Sequence, residues 1–243
     1  MVDVGERRPL CFLRAFTTPK RNDTPNEDSW CRSEDGTVVV VSDGASVSFD
    51  PATWAQIITR RFVEDYQVGP EWLDAAIGEY RSGHDREVMD WMRQGAFDRG
   101  TFASQLGAVI LPTGDVRTVV IGDSLLAVID GKQVVQTIPY QLPHEFDQSP
   151  RLISTNAAEN RSMEEALPAA WHDISIASLA TPILLLMTDA LGRWLLDQPD
   201  EERVGALLDI RDDEAFEKFV DAERAEKRLV RDDTTVAVVG VAP

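Results

Sequence analysis

Cysteine is nearly absent from this chain: its 243 residues include two, Cys11 and Cys31. Two thiols do not make a disulfide framework, and neither sits in a CxxC or CxxH spacing, which removes the common zinc motifs. They read as reduced thiols on or near strands. Histidine is almost as scarce. His84, His144 and His172 share no ligand spacing, and each reads as a surface or locally satisfied histidine. Long apolar runs are missing too. The longest stretch without a charge, Ile174 to Thr188, has 15 residues with Pro182 inside, against the roughly 20 that a membrane helix needs. The opening stretch, Met1 to Arg14, carries Asp3, Glu6, Arg7 and Arg8 and lacks the apolar segment of a secretory leader. Basic residues are outnumbered: 24 Lys and Arg face 42 Asp and Glu, for a net charge of −18. That balance opposes nucleic acid and anionic membranes as partners, since both select Lys and Arg. Together these absences point to a soluble cytoplasmic protein.

What is present is the making of a core. Hydrophobic residues form 43% of the chain and charged residues 27%, a balance that suits a globular fold. Asp35-Gly36, Thr113-Gly114-Asp115 and Asp130-Gly131 separate runs rich in Val, Ile and Leu. Such turns are hairpin chemistry, so the strands are expected to be mainly antiparallel. Val38 to Val41, Ile183 to Met187 and Val236 to Val241 are apolar without alternation, as in sheets covered on both faces.

Helices are expected to supply the covers. Asp50-Pro51 reads as an N-cap and first helical residue, followed by Trp54, Ile57, Ile58, Phe62 and Tyr66 on one face. Glu71 to Gln94 reads as further helix with a break near Ser82-Gly83 and with Trp72, Ala75, Ala76, Val88, Trp91 and Met92 as core candidates. Asp212 to Arg228 places Phe216, Phe219 and Val220 on one face. A last strand is expected at Thr234 to Val241. Pro139 to Ala170 reads as a surface excursion with little regular structure. The order predicts an α+β fold, two mainly antiparallel sheets sandwiched between helices, in one domain over residues 1–243.

Four acidic positions share one context. Asp43 follows Val38 to Ser42, Asp123 follows Val119 to Gly122, and Asp189 follows Ile183 to Thr188. Asp232 and Asp233 stand just before the last strand. Strand ends converge on the rim of a sandwich, so these carboxylates can meet there. A cluster of carboxylates repels itself, and a divalent cation relieves the repulsion. Hard oxygen ligands without His or Cys select Mg²⁺ or Mn²⁺ over zinc. Asn26-Glu27-Asp28, in the loop after the first strand, adds two more acids.

Taken in order, Asn26-Glu27-Asp28, Val41-Ser42-Asp43-Gly44, Ile121-Gly122-Asp123-Ser124, Met187-Thr188-Asp189 and Asp232-Asp233-Thr234-Thr235-Val236 resemble the motifs of PP2C-type (PPM family) metal-dependent protein Ser/Thr phosphatases, bacterial single-domain members included. The likeness spans about residues 10 to 241. It implies a four-layer α-β-β-α sandwich. It also implies hydrolysis of phosphoserine and phosphothreonine by a water activated between two Mn²⁺ or Mg²⁺ ions, so no Cys or Ser nucleophile is required.

The family's roles fall on this chain residue by residue. Asp43 would bridge both ions and Gly44 would offer its carbonyl. Asp189 and Asp232 would complete one site, while Glu27 and Asp28 would serve the other directly or through water. Asp123 would belong to a weaker third ion. A phosphorylated protein is the implied substrate, with an opposing Ser/Thr kinase.

The chain departs from the family in four places. The late motif's Asn is Asp233. The Gly after the third aspartate is Ala190. The His that many members carry after Asp-Gly is Ala45. The phosphate-binding Arg before the acidic pair is Asp23, so Lys20 or Arg21 would have to take its place. The other readings are narrower. A haloacid-dehalogenase-type phosphatase needs a second Asp two residues after the first, where Ala45 stands. A von Willebrand A-type site needs Asp-x-Ser-x-Ser, and Ser46 and Ser48 are one step out of register. The remaining alternative is a pseudophosphatase of the same fold that binds phosphoproteins or a regulator.

Overall fold

The computed structural model describes residues 9–241. The ends of the expected 1–243 domain, including most of the stretch read for a leader, lie outside the described residues. The chain begins with β1 (Leu10–Thr18), β2 (Asp28–Arg32) and β3 (Val38–Asp43), then α1 (Pro51–Glu64), α2 (Pro70–Ser82) and α3 (Trp91–Arg99). Next come β4 (Phe102–Ala103), β5 (Gln105–Ile110), β6 (Val116–Ile121), β7 (Leu125–Asp130), β8 (Gln133–Ile138) and β9 (Ile153–Ser154). They are followed by α4 (Arg161–Ala170), β10 (Trp171–Ile174), β11 (Pro182–Met187), α5 (Asp189–Asp197), α6 (Glu201–Leu208), α7 (Asp213–Ala225) and β12 (Thr234–Val241).

The strands form two five-stranded antiparallel sheets, in the orders β1-β12-β11-β7-β8 and β10-β6-β5-β3-β2, with β4 and β9 as a small separate pair. The continuous apolar runs are explained by this layering. In β3, Val39 and Val41 pack between the sheets while Val38 and Val40 pack under α1 and α2. In β11, Leu184 and Leu186 face the other sheet while Leu185 and Met187 meet α5. Each such side chain is worth about 1.5–3 kcal/mol when fully buried. Helices α1, α2 and α4 cover one sheet, and α5, α6 and α7 cover the other. This is the expected four-layer α+β sandwich.

The helical reading needs correction in three places. Helix α1 stops at Glu64, so Tyr66 lies beyond it and is exposed. The stretch after α2 is a 3-10 turn at Arg86–Val88 and then the short α3, which meets the core through Phe97, packed on Phe49 and Tyr80, and not through the residues expected to do so. Val88, Trp91 and Met92 are 80%, 81% and 63% exposed, and Ala75 also faces solvent. Their spacing looked amphipathic, but α3 has no second layer above it. Finally, Pro139 to Ala170 is more ordered than expected, with a 3-10 turn at Pro143–Asp147, then β9 and α4. Met163 and Leu167 anchor α4 against the core.

Candidate functional site

The rim is assembled by register and by turns. Asp28 opens β2 and Asp43 closes β3, and the two are directly paired across the hairpin. Asp123 lies in the turn between β6 and β7, which crosses from one sheet to the other. That turn requires glycine: Gly122 has φ +98°, and a Cβ there would lie 2.6 Å from the Ser104 Cβ. Asp189 is the first residue of α5, directly after β11. Asp232 and Asp233 precede β12. Five segments distant in sequence thus deliver carboxylates to one end of the sandwich.

Hydroxyls and amides fix these acids in place. Asp28 Oδ2 accepts from Thr188 Oγ1 at 3.0 Å and from Thr235 Oγ1 at 2.7 Å, while its buried Oδ1 has no partner. The Asp43 N–H donates to Ser104 Oγ at 3.0 Å, and Ser104 Oγ meets Ser124 Oγ at 2.8 Å. This chain ties the Asp43 turn to the Asp123 turn. The Gly44 N–H donates to the Glu27 carbonyl at 3.2 Å, and a Cβ at Gly44 would stand 2.6 Å from the Pro51 carbonyl oxygen. Asp189 Oδ1 accepts from the Ala190 N–H at 2.5 Å.

Electrostatically the rim is under tension. Burial, with the charges of Asp28, Asp189, Asp123 and Asp232 added to it, pushes Asp43 well above the usual carboxylate range. Asp28 is pushed the same way by burial, against its two hydroxyl bonds. Asp189 is pushed up to about 7 by burial and then by Asp123 and Asp232, although a hydrogen bond with Asp43 opposes the shift. Asp123 and Asp232 are raised as well, chiefly by burial. Asp43 and Asp189 keep some accessible surface at the mouth of the rim, yet protein surrounds each on nearly every other side.

Where each expected residue stands is now plain. Asp28, Asp43, Asp123, Asp189 and Asp232 share the rim, and Gly44 lies in the turn beside it. Glu27 is next to them, but its Oε2 is engaged by Lys20 Nζ at 2.6 Å and by Ser46 Oγ. Lys20 Nζ also donates to Ser46 Oγ at 2.7 Å. Arg21 is exposed, and its guanidinium has no partner among the described residues. Thr188, Thr235, Ser104 and Ser124 were not anticipated. Their signal was present in part: Thr188, Ser124 and Thr235 lie within two positions of Asp189, Asp123 and Asp233, while Ser104 has no acid near it in sequence.

The donors are all hard oxygens, and Asp28 Oδ1 is left without a protein partner, which fits Mg²⁺ or Mn²⁺ by donor chemistry. Among the described residues, no three His, Cys, Asp or Glu side chains are gathered closely enough to hold an ion as they stand. The rim shows mutually perturbed carboxylates rather than a closed cage.

The same fold is found among solved phosphatase structures. The photosystem II phosphatase PBCP aligns over 96% of this chain and 99% of its own, with 18% identity and a TM-score of 0.58. The catalytic domain of the serine/threonine protein phosphatase PstP, in complex with two manganese ions, aligns over 96% and 100%, with 17% identity and a TM-score of 0.60. A bacterial serine phosphatase aligns over 97% and 98%, with 13% identity and a TM-score of 0.59. No protein-family model and no curated protein matches the chain. The chain therefore has the fold of the Ser/Thr phosphatases that its motifs resemble.

Proposed function

We propose that this chain is a metal-dependent phosphatase that hydrolyses phosphoserine and phosphothreonine in proteins. One observation carries the reading: acids from five separate segments converge on one rim and raise one another's proton affinity. Asp43, Asp189 and Asp232, with Asp43, the Gly44 carbonyl, Glu27 and Asp28 on the other side, would hold two Mn²⁺ or Mg²⁺ ions, and Asp123 a weaker third. Such ions supply Lewis-acid activation of water and offset charge on the phosphoryl group. The single-domain extent of 1–243 belongs to the same proposal.

The chain's own residues do the rest. Thr188 and Thr235 fix one Asp28 oxygen and leave the other free. Ser104 and Ser124 hold the Asp43 and Asp123 turns in step. Arg21 offers an exposed guanidinium for the substrate phosphate, and Lys20 offers an ammonium anchored by Glu27. Ala45 has no proton to give, so no side chain is assigned as general acid.

The test is turnover of a phosphothreonine peptide by purified protein with Mn²⁺. Activity that Asp43→Asn abolishes supports the reading, and no turnover with intact folding removes it. The engagement of Lys20 by Glu27 and Ser46 favours one rival, a pseudophosphatase that binds phosphoproteins. Phosphopeptide binding and Mn²⁺ binding without turnover would establish that rival. Among the described residues no helix is long and apolar enough to cross a membrane.

A further inference from the structure

Behind the rim lies a clamp built from two residues that the phosphatase reading does not use. Arg224, on α7, is buried. Its Nη1 donates to the Pro19 carbonyl at 3.1 Å. Its Nη2 donates to the Asp232 carbonyl and, at 3.2 Å, to Thr234 Oγ1. Asp233, only 2% exposed, takes hold from the other side. Its Oδ1 accepts from the Lys20 N–H at 2.5 Å and its Oδ2 from the Glu27 N–H at 2.8 Å.

The Pro19–Lys20 peptide is therefore gripped at both ends, its C=O by Arg224 and its N–H by Asp233. The peptide carbonyl just before Asp233 is held by the same guanidinium. The turn before β12 is thereby joined to the end of β1 and to the loop before β2, which lie more than 200 residues earlier in the chain. Two of these stretches carry rim acids, Glu27 and Asp232.

The chemistry of the clamp specifies a carboxylate. Two N–H donors approach two different oxygens of Asp233, and a carboxylate accepts at both. A carboxamide of the same shape would present its NH₂ to one of those N–H groups, leaving a buried donor unpaired. The position where the resembling family has Asn is thus one where this chain cannot use it.

We propose that Asp233 and Arg224 are positioning residues for the rim: they set where Glu27 and Asp232 stand, and Asp233 must be a carboxylate to do so. The inference rests on the phosphatase reading in taking Glu27 and Asp232 as ion ligands; the clamp itself stands on its hydrogen bonds.

The experiment uses the full chain as wild type, Asp233→Asn, Arg224→Lys and Arg224→Met. Amide hydrogen exchange is read by NMR in chelator, and Mn²⁺ binding by calorimetry. Asp233→Asn should speed exchange at Lys20 and Glu27 about tenfold or more while the β3 and β11 amides keep their protection, and should weaken Mn²⁺ binding roughly 10- to 100-fold. Arg224→Lys should retain part of the Mn²⁺ affinity that Arg224→Met loses, because an ammonium still reaches a carbonyl. Wild-type exchange and wild-type Mn²⁺ affinity in Asp233→Asn would overturn the proposal, as would uniform loss of protection across both sheets. If Asp233→Asn does not fold, the two Arg224 variants decide by the same readouts, and equal behaviour of both would overturn it. A wild-type protein that binds no Mn²⁺ would remove the phosphatase reading, while amide exchange would still decide the clamp.

Discussion

Asp28 and Asp43 are direct cross-strand partners on β2 and β3. Their proximity is set by strand register and not by a loop, so the chain cannot relax it without breaking the hairpin. Removing one charge should therefore help the fold and harm the chemistry. Asp43→Asn is expected to raise the melting temperature in chelator by about 2–4 °C per kcal/mol of repulsion relieved. It should also lower phosphopeptide turnover by about two orders of magnitude or more, beyond what loss of an outer-shell partner costs. A variant both less stable and fully active would contradict the assignment of Asp43.

The raised carboxylates give the metal-free protein a definite pH dependence. Asp189 titrates up to about 7 in the fold, while an unperturbed Asp lies at 3.8. Between those values the folded state keeps protons that the unfolded chain has released, so stability falls as pH rises through that window. Asp28 and Asp43 shift in the same direction. Urea midpoints in chelator should be higher at pH 5 than at pH 8. A midpoint that climbs across this interval would show the rim carboxylates to be unperturbed. Saturating Mn²⁺ should flatten the trend, because ligation favours the ionised form.

Thr188 and Thr235 both donate to one oxygen of Asp28. Replacing either with Val leaves that buried oxygen half satisfied, at a cost of about 1–3 kcal/mol. Thermal unfolding measures the loss. Mn²⁺ titration should show weaker binding by roughly 10- to 100-fold, as for other residues that orient ligands. Unchanged affinity in both variants would mean that Asp28 does not need its hydroxyls.

Lys20 and Arg21 should separate kinetically. Arg21 is exposed and unpartnered, so Arg21→Ala should raise KM for a phosphopeptide several-fold and leave kcat alone. Lys20 is bound to Glu27, so Lys20→Ala should alter kcat and Mn²⁺ affinity together. If Arg21→Ala lowers kcat with KM unchanged, its role as a phosphate anchor is wrong.

The layers were legible because their causes are local. Runs such as Val38 to Val41 declare burial on both faces, and Asp50-Pro51 declares a helix start that the structure confirms. The convergence of Asp43, Asp123, Asp189 and Asp232 was legible through strand ends. Trp91 and Met92 misled because helical spacing says which face is apolar, not whether anything lies against it. The tie between Lys20 and Glu27 spans seven residues, and Arg224 reaches Pro19 across 205. Bonds of that kind are settled by how the layers close, and no pattern along the chain announces them.

The rim acids are divided between the two sheets. Asp28 and Asp43 belong to one, and Asp189 and Asp232 border strands of the other. The hydroxyl bonds from Thr188 and Thr235 to Asp28 span the gap between them. Whatever neutralises these acids therefore also works as a fastener across the seam of the sandwich. Slippage of one sheet against the other, anywhere along their length, would be felt first as a change in the spacing of these carboxylates.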